Sequence, residues 1–406
     1  MIIMLWMAAL AIDVGDCQVL SSDRPLEVRP LGDLDLDGAE DFSVFGDNNL
    51  EIHLSTAGGP GIVVPHASSA ERARAAGGDL DGDGISDLLI TTPPPPCVGL
   101  GCGRLQSSSV TFHKGPFAAG PLPAPDAWWK AETGLTLISG DHNGDGHPDV
   151  GYVEETGSSG GNSYQWRAHP GQDVLALRGE DLSQGGAAIR TWTFYTSAWG
   201  FTGFSDYSVH PLGDFDGDGR GDVLYGHINS EQIFLARGRE VAVGAPAGGR
   251  TRLSDESVSF AVGGFDAQGD GFGDLIAMAG DRVWLTSGGT GWVLGRRYDE
   301  AATSTVWRMP SVGHSAAYAG DRFGDGRKWM LVRAGQRAWF VQLPSTPTVR
   351  TQAIPAGNLI GQARGTLEWN FDMLGWPADI DGDGDDELLI TARIGGVFGS
   401  EVACAL

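Results

Sequence analysis

Seven times along the chain, oxygen-bearing side chains recur at alternate positions of a nine-residue run of the form D-x-D/N-x-D-G-x-x-D. The copies are DLDLDGAED from Asp33, DLDGDGISD from Asp79, DHNGDGHPD from Asp141, DFDGDGRGD from Asp214, DAQGDGFGD from Asp266, DRFGDGRKW from Asp321 and DIDGDGDDE from Asp379. Carboxylates and amides at positions 1, 3, 5 and 9, with the backbone carbonyl of position 7, supply the all-oxygen shell that a hard cation such as Ca²⁺ takes. Glycine at position 6 lets the chain turn sharply between ligands.

Ligand chemistry ranks the copies. Four have a full set: Asp33, Asp35, Asp37 and Asp41; Asp79, Asp81, Asp83 and Asp87; Asp141, Asn143, Asp145 and Asp149; Asp214, Asp216, Asp218 and Asp222. Asp379, Asp381, Asp383 and Glu387 form a fifth, closed by a longer carboxylate. In the sixth, Asp266, Gln268, Asp270 and Asp274, the amide at position 3 makes a weaker site. The copy at 321 carries Phe323 and Trp329 at positions 3 and 9 and keeps two carboxylates, too few for tight binding. About five strong calcium sites and one doubtful one are expected. An EF-hand would close with a glutamate at position 12 between helices, whereas Ile90 stands at that position of the second copy, inside a strand-like run.

The elements that must position these loops are short strands. Apolar runs follow the loops (residues 87–91, 222–226, 274–278 and 387–391), and a second β-branched or aromatic run follows a short turn, as at 50–54, 110–113, 232–235, 283–285 and 338–341. Further apolar stretches precede the loops at 135–138 and 258–262. Loop starts lie 46, 62, 73, 52, 55 and 58 residues apart, so seven units of about four strands account for the chain. The pattern resembles the FG-GAP or VCBS repeat family, to which the integrin α-subunit head propellers belong, over about residues 26–400. That resemblance implies an all-β, seven-bladed β-propeller with calcium loops between the first two strands of each blade. Val44-Phe45-Gly46 is a fragment of the FG signature. One propeller is expected over 18–406, with insertions at about 93–130 and 155–207.

Charge excludes one class of partner. The formal charge is −25, from 52 acidic against 27 basic residues, and phosphate binding needs a basic surface, so no nucleic-acid partner is expected. Six bound calcium ions would bring the charge only to about −13, by neutralising carboxylates that otherwise repel one another. The apolar N-terminal run is too short to span a bilayer and suits a signal peptide over 1–11, although no Lys or Arg precedes it. A secreted or cell-surface, monomeric protein without a membrane span is the expectation. Lipid anchoring at Cys17 is disfavoured by Asp16. In an exported chain four cysteines suggest two disulfides, Cys97 with Cys102 and Cys17 with Cys404, the second joining the chain ends in a closing blade.

For function, the expectation is a non-catalytic binding or adhesion module for a protein or glycan. Trp128, Trp129, Trp192 and Trp199 in the insertions are its candidate contact residues, with burial of these indoles in the blades as the plainer reading. The alternative is a polysaccharide-active lyase or hydrolase, for which no H-E-x-x-H, G-x-S-x-G or phosphate-cradling Gly-Lys motif is present. Two local features carry less. Arg220-Gly221-Asp222 spells an adhesive tripeptide, but its Asp is a loop ligand. His142 and His147, between ligands, are expected to face solvent and not to bind zinc.

Overall fold

The computed structural model describes residues 18–21, 27–45, 49–55, 60–65, 74–92, 108–131, 136–138, 140–158, 161–181, 192–196, 207–227, 232–238, 250–252, 260–289, 304–309, 315–334, 337–345, 350–353, 359–362, 367–368, 376–394 and 400–405. The described residues form strands with one four-residue helix, Gly171–Val174. The strands make seven separate sheets in chain order. In the first, Glu27–Gly32, Asp41–Phe45, Asn49–His53 and Pro60–Pro65 pair antiparallel with their sequence neighbours. The runs expected at 50–54, 110–113, 232–235, 283–285 and 338–341 are all third strands, offset by a residue or two at their ends.

Each loop joins the first strand of a sheet to its second. Position 9 opens that second strand in all seven repeats, at Asp41, Asp87, Asp149, Asp222, Asp274, Trp329 and Glu387. The second strands read as unbroken apolar runs because both of their faces are buried. In Asp274–Ala279, Leu275, Ala277 and Ala279 pack toward the fourth sheet while Ile276 and Met278 pack toward the sixth. Leu88 and Ile90 likewise face the first sheet, and Leu89 the third. The core therefore lies between sheets, and first strands touch in order: Glu27–Gly32 on Arg74–Gly78, Tyr207–Gly213 on Phe260–Phe265, Ser315–Tyr318 on Trp376–Ala378, and Trp376–Ala378 back on Glu27–Gly32. The arrangement is propeller-like.

Three features add to the expected repeat. The chain ends meet: Gln18–Ser21 runs antiparallel to Ser400–Ala405, with Val19 opposite Cys404. Arg178–Asp181, from the connection between third and fourth strands of the third sheet, pairs parallel with Ala127–Ala131 of the second, and Arg350–Ala353 does the same for the fifth sheet. Finally, residues 114–126 form a strap from the second sheet onto the first: Phe117 N–H donates to the Leu34 carbonyl at 2.8 Å and Gly120 N–H to that of Gly61 at 2.8 Å. Phe117 is buried in the core between those two sheets. Much of the second expected insertion is blade strand, namely the hairpin Asp149–Ser158 and Gly161–Pro170 with Trp192–Thr196 beside it. No disulfide occurs among the described residues, and Cys17, Cys97 and Cys102 lie outside them, as do residues 1–11. Among the described residues no helix is long and apolar enough to cross a membrane.

Candidate metal centres

The loops share one backbone geometry. Positions 4 and 6 take a left-handed conformation in all seven repeats, with φ between 56° and 94°. Glycine fills position 4 in six of them, and Leu36, at φ 66°, is the exception. An L-residue pays steric strain there, and the Leu36 side chain is half exposed, so little burial offsets it. Sequence reasoning identified the requirement at position 6 and missed the one at position 4, although the glycines spelled it out.

With that turn in place the loop's own N–H groups orient the carboxylates. In the loop at 79, Asp79 Oδ1 accepts from Gly82 at 2.8 Å and Asp83 at 3.0 Å, and Oδ2 from Gly84 at 2.8 Å. Asp81 Oδ1 accepts from Asp83, Asp83 Oδ1 from Ile85, and Asp87 Oδ2 from Leu80 at 3.0 Å. The same bonds from positions 4, 5 and 6 to position 1 recur at 33, 141, 214, 266 and 379. The remaining oxygens converge. Carboxylate atoms lie within 4.8 Å of one another in four clusters: Asp33, Asp35 and Asp37; Asp79, Asp81 and Asp87; Asp214, Asp216 and Asp218; Asp379, Asp381 and Glu387. These clusters could hold a metal ion, and their donor set is all oxygen, which suits a hard cation.

Position 9 differs from the rest in burial. Asp41, Asp87, Asp149, Asp222 and Asp274 are fully buried. Both carboxylate oxygens accept backbone N–H groups, as when Asp41 takes Leu34 at 2.7 Å and Ser55 at 2.8 Å. In the metal-free chain burial, reinforced by the other loop carboxylates, pushes Asp41 and Asp87 up to about 6, Asp274 and Glu387 to about 7, and Asp149 and Asp222 to about 8. A cation placed among these groups would remove that penalty.

The loop at 321 is built differently. Asp321 still accepts the N–H groups of Asp325 and Gly326, at 3.1 and 2.8 Å. Phe323, at position 3, meets Trp329, at position 9, edge to face with ring centroids 5.0 Å apart, and Phe340 at 6.1 Å. An aromatic contact thus stands where two ligands would. A carboxylate from the next loop serves Asp321 instead, since Asp386 Oδ2 accepts its N–H at 2.5 Å.

Four pairs of neighbouring loops are joined backbone to backbone. The N–H of position 8 donates to the position-1 carbonyl of the loop before it: Gly221 to Asp141 (2.5 Å), Gly273 to Asp214 (3.1 Å), Asp386 to Asp321 (3.2 Å) and Glu40 to Asp379 (2.7 Å). The last of these crosses from the end of the chain to its beginning.

Several expectations about single residues meet the structure here. His142 does not face solvent: it is fully buried, its Nδ1 is 2.5 Å from the Gly221 carbonyl oxygen, and burial lowers its pKa. The cause is its place at position 2, which points into the core in other repeats too, through Leu34, Leu80, Phe215 and Ala267. His147, at position 7, is half-buried beside Gly82 of the preceding loop. Trp129 is fully buried between the second and third sheets and so belongs to the core, while its strand neighbour Trp128 points the other way and is 38% exposed. Trp192 opens a strand, and Trp199 lies outside the described residues. Asp222 of the Arg-Gly-Asp tripeptide is buried on Phe215 and Gly238 N–H groups, leaving no carboxylate for a partner.

No family model and no curated protein matches the chain. Among solved structures, BBS1N in complex with ARL6DN aligns with it in a mercury-soaked crystal at 8% identity and TM-score 0.45, and in a lead-soaked crystal at 9% and 0.41. Each alignment covers 96% of this chain and 94% of that chain. Similarity at this level carries no functional argument, and the fold rests on the sheet order itself.

Proposed function

We propose that this chain is a seven-bladed calcium-binding β-propeller of the FG-GAP/VCBS kind, exported to the cell exterior, where it serves as a non-catalytic binding module for a protein or glycan. The repeated loop carries the reading: four copies present converging carboxylate oxygens, on a backbone turn that all seven repeats share. Calcium fits best because the loops offer carboxylates, amides and carbonyls at a size and flexibility suited to six or more oxygens. The ions are structural, holding the rim of each blade and, through the bonds between loops, its neighbours.

Binding is assigned to the outer edge, away from the ions. Trp128 lies on the outermost antiparallel strand of the second sheet, against the backbone of Gly179, where a Cβ would stand 2.5 Å from the indole. That close approach holds the six-membered ring in place, and the exposed part of the indole offers a surface on which a sugar or an apolar side chain can stack. Glycan-array and cell-binding screens of wild type and Trp128→Ala test the assignment. Loss of at least tenfold in affinity is expected, and undiminished binding by the variant contradicts it. Degradation of an acidic polysaccharide by the purified protein would overturn the non-catalytic reading.

A further inference from the structure

In five repeats the strand register shows what stands at the end of the third strand. Phe42 pairs with His53, Leu88 with His113, Val150 with His169, Val223 with Ala236 and Leu275 with Thr286. Each first partner directly follows position 9 of its loop, so the residue after each second partner occupies one equivalent place, at the end of the third strand. Those residues are Leu54, Lys114, Pro170, Arg237 and Ser287. In three repeats the place is neutral; in the repeats at 79 and 214 it holds a long cation.

Both cations reach the loop carboxylates. Lys114 Nζ bonds Asp81 and lies 2.9 Å from Asp83 Oδ2, so it bridges positions 3 and 5. Arg237 Nε lies 2.5 Å from Asp216 Oδ2, also position 3, in an ion pair not aligned as a hydrogen bond. The Asp216 side chain is 2% exposed, and a carboxylate so buried needs a counter-charge close by. The side chains of Lys114 and Arg237 are 45% and 33% exposed, so each reaches in from the solvent edge and has room to swing away. The chain has only three lysines.

Resting on the calcium reading above, we propose that Lys114 and Arg237 are built-in counter-ions: they stand among the ligands of the loops at 79 and 214 when calcium is absent and must be displaced when it binds. These two sites, with full ligand sets, are therefore weaker than those at 33 and 141, and their loops stay closed without metal. The rim is a set of graded calcium sites, with the third strand adding to the grading that the loop ligands set.

Calcium titration of the stripped protein by calorimetry, in wild type, Lys114→Met, Arg237→Met and the charge-matched control Lys130→Met, tests this. Lys130 is an exposed residue of Ala127–Ala131. Each of the first two variants is expected to tighten one site about fivefold, the upper reach of a solvent-accessible ion pair, and to lower the melting temperature of the stripped protein; Lys130→Met does neither. Wild type that takes up no calcium overturns the calcium reading itself. Wild type that does, with Lys114→Met and Arg237→Met titrating like Lys130→Met or more weakly, overturns the counter-ion proposal alone.

Discussion

At the level of single residues, the ligand positions divide into two kinds with opposite mutational consequences. Asp41 is buried with both oxygens accepting N–H groups, so Asp41→Asn turns an amide NH₂ toward a donor and leaves it unsatisfied. It is expected to cost about 1–3 kcal/mol of stability even without calcium, read by urea unfolding of stripped protein. Asp37 is exposed and keeps an acceptor oxygen for Ala39 N–H as asparagine. Asp37→Asn should leave stripped stability unchanged and lower calcium affinity at that loop roughly tenfold, since affinity follows ligand charge. Equal effects of the two in stripped protein would contradict the division. The pH dependence follows from the buried carboxylates, whose pKa values are raised in the metal-free fold, up to about 8 for Asp149 and Asp222. A raised folded-state pKa means protons bind the folded form more tightly. Their contribution is thus full below about pH 4 and lost as pH rises through about 8. Stripped protein should be less stable at pH 8 than at pH 5 from this source, and calcium binding near pH 7 should release protons, measured calorimetrically in buffers of different ionisation enthalpy. Buried His142 opposes the trend, because its lowered pKa removes stability below about pH 6.5. Proton uptake on calcium binding would contradict the assignment. Much of this was legible in sequence, because ligand identity and spacing are local. The burial of His142 is not, because a polar imidazole stands where other copies bury the apolar Leu34, Leu80, Phe215 and Ala267.

At the level of elements, two features depart from the common repeat. The Phe323–Trp329 contact stands at positions 3 and 9 of the loop at 321, so Phe323→Ala should lower stability by about 1 kcal/mol, the scale of an aromatic pair, without changing calcium stoichiometry. A lost ion in that variant would contradict the structure drawn for this loop. The strap at 114–126 anchors the second sheet to the first through Phe117, which is 6% exposed. Truncation to alanine should cost about 3–5 kcal/mol, as for other buried phenylalanines, and a change under 1 kcal/mol in denaturant unfolding would show that the strap is superficial. Strands beside the loops could be read from apolar runs because both faces are buried. The strap and the parallel edge strands could not, since each depends on which sheet a connection crosses to, nor could the counter-ions, which depend on the pairing of second and third strands, because register leaves no local period.

At the level of the whole molecule, the seven sheets bury their apolar faces against one another and not within themselves, so stability is shared around the order of sheets and the chain ends must meet for it to close. Strand Gln18–Ser21 against Ser400–Ala405 does this. Four of the loops bond to the loop before them, which brings acidic clusters together; on the calcium reading proposed above, bound cations would be a condition of full stability. Calcium stoichiometry of stripped and reloaded protein, measured with the melting temperature before and after chelation, tests this most directly. Six ions and a fall of several degrees on chelation are expected; two or fewer ions, or a melting temperature indifferent to chelator, would contradict it.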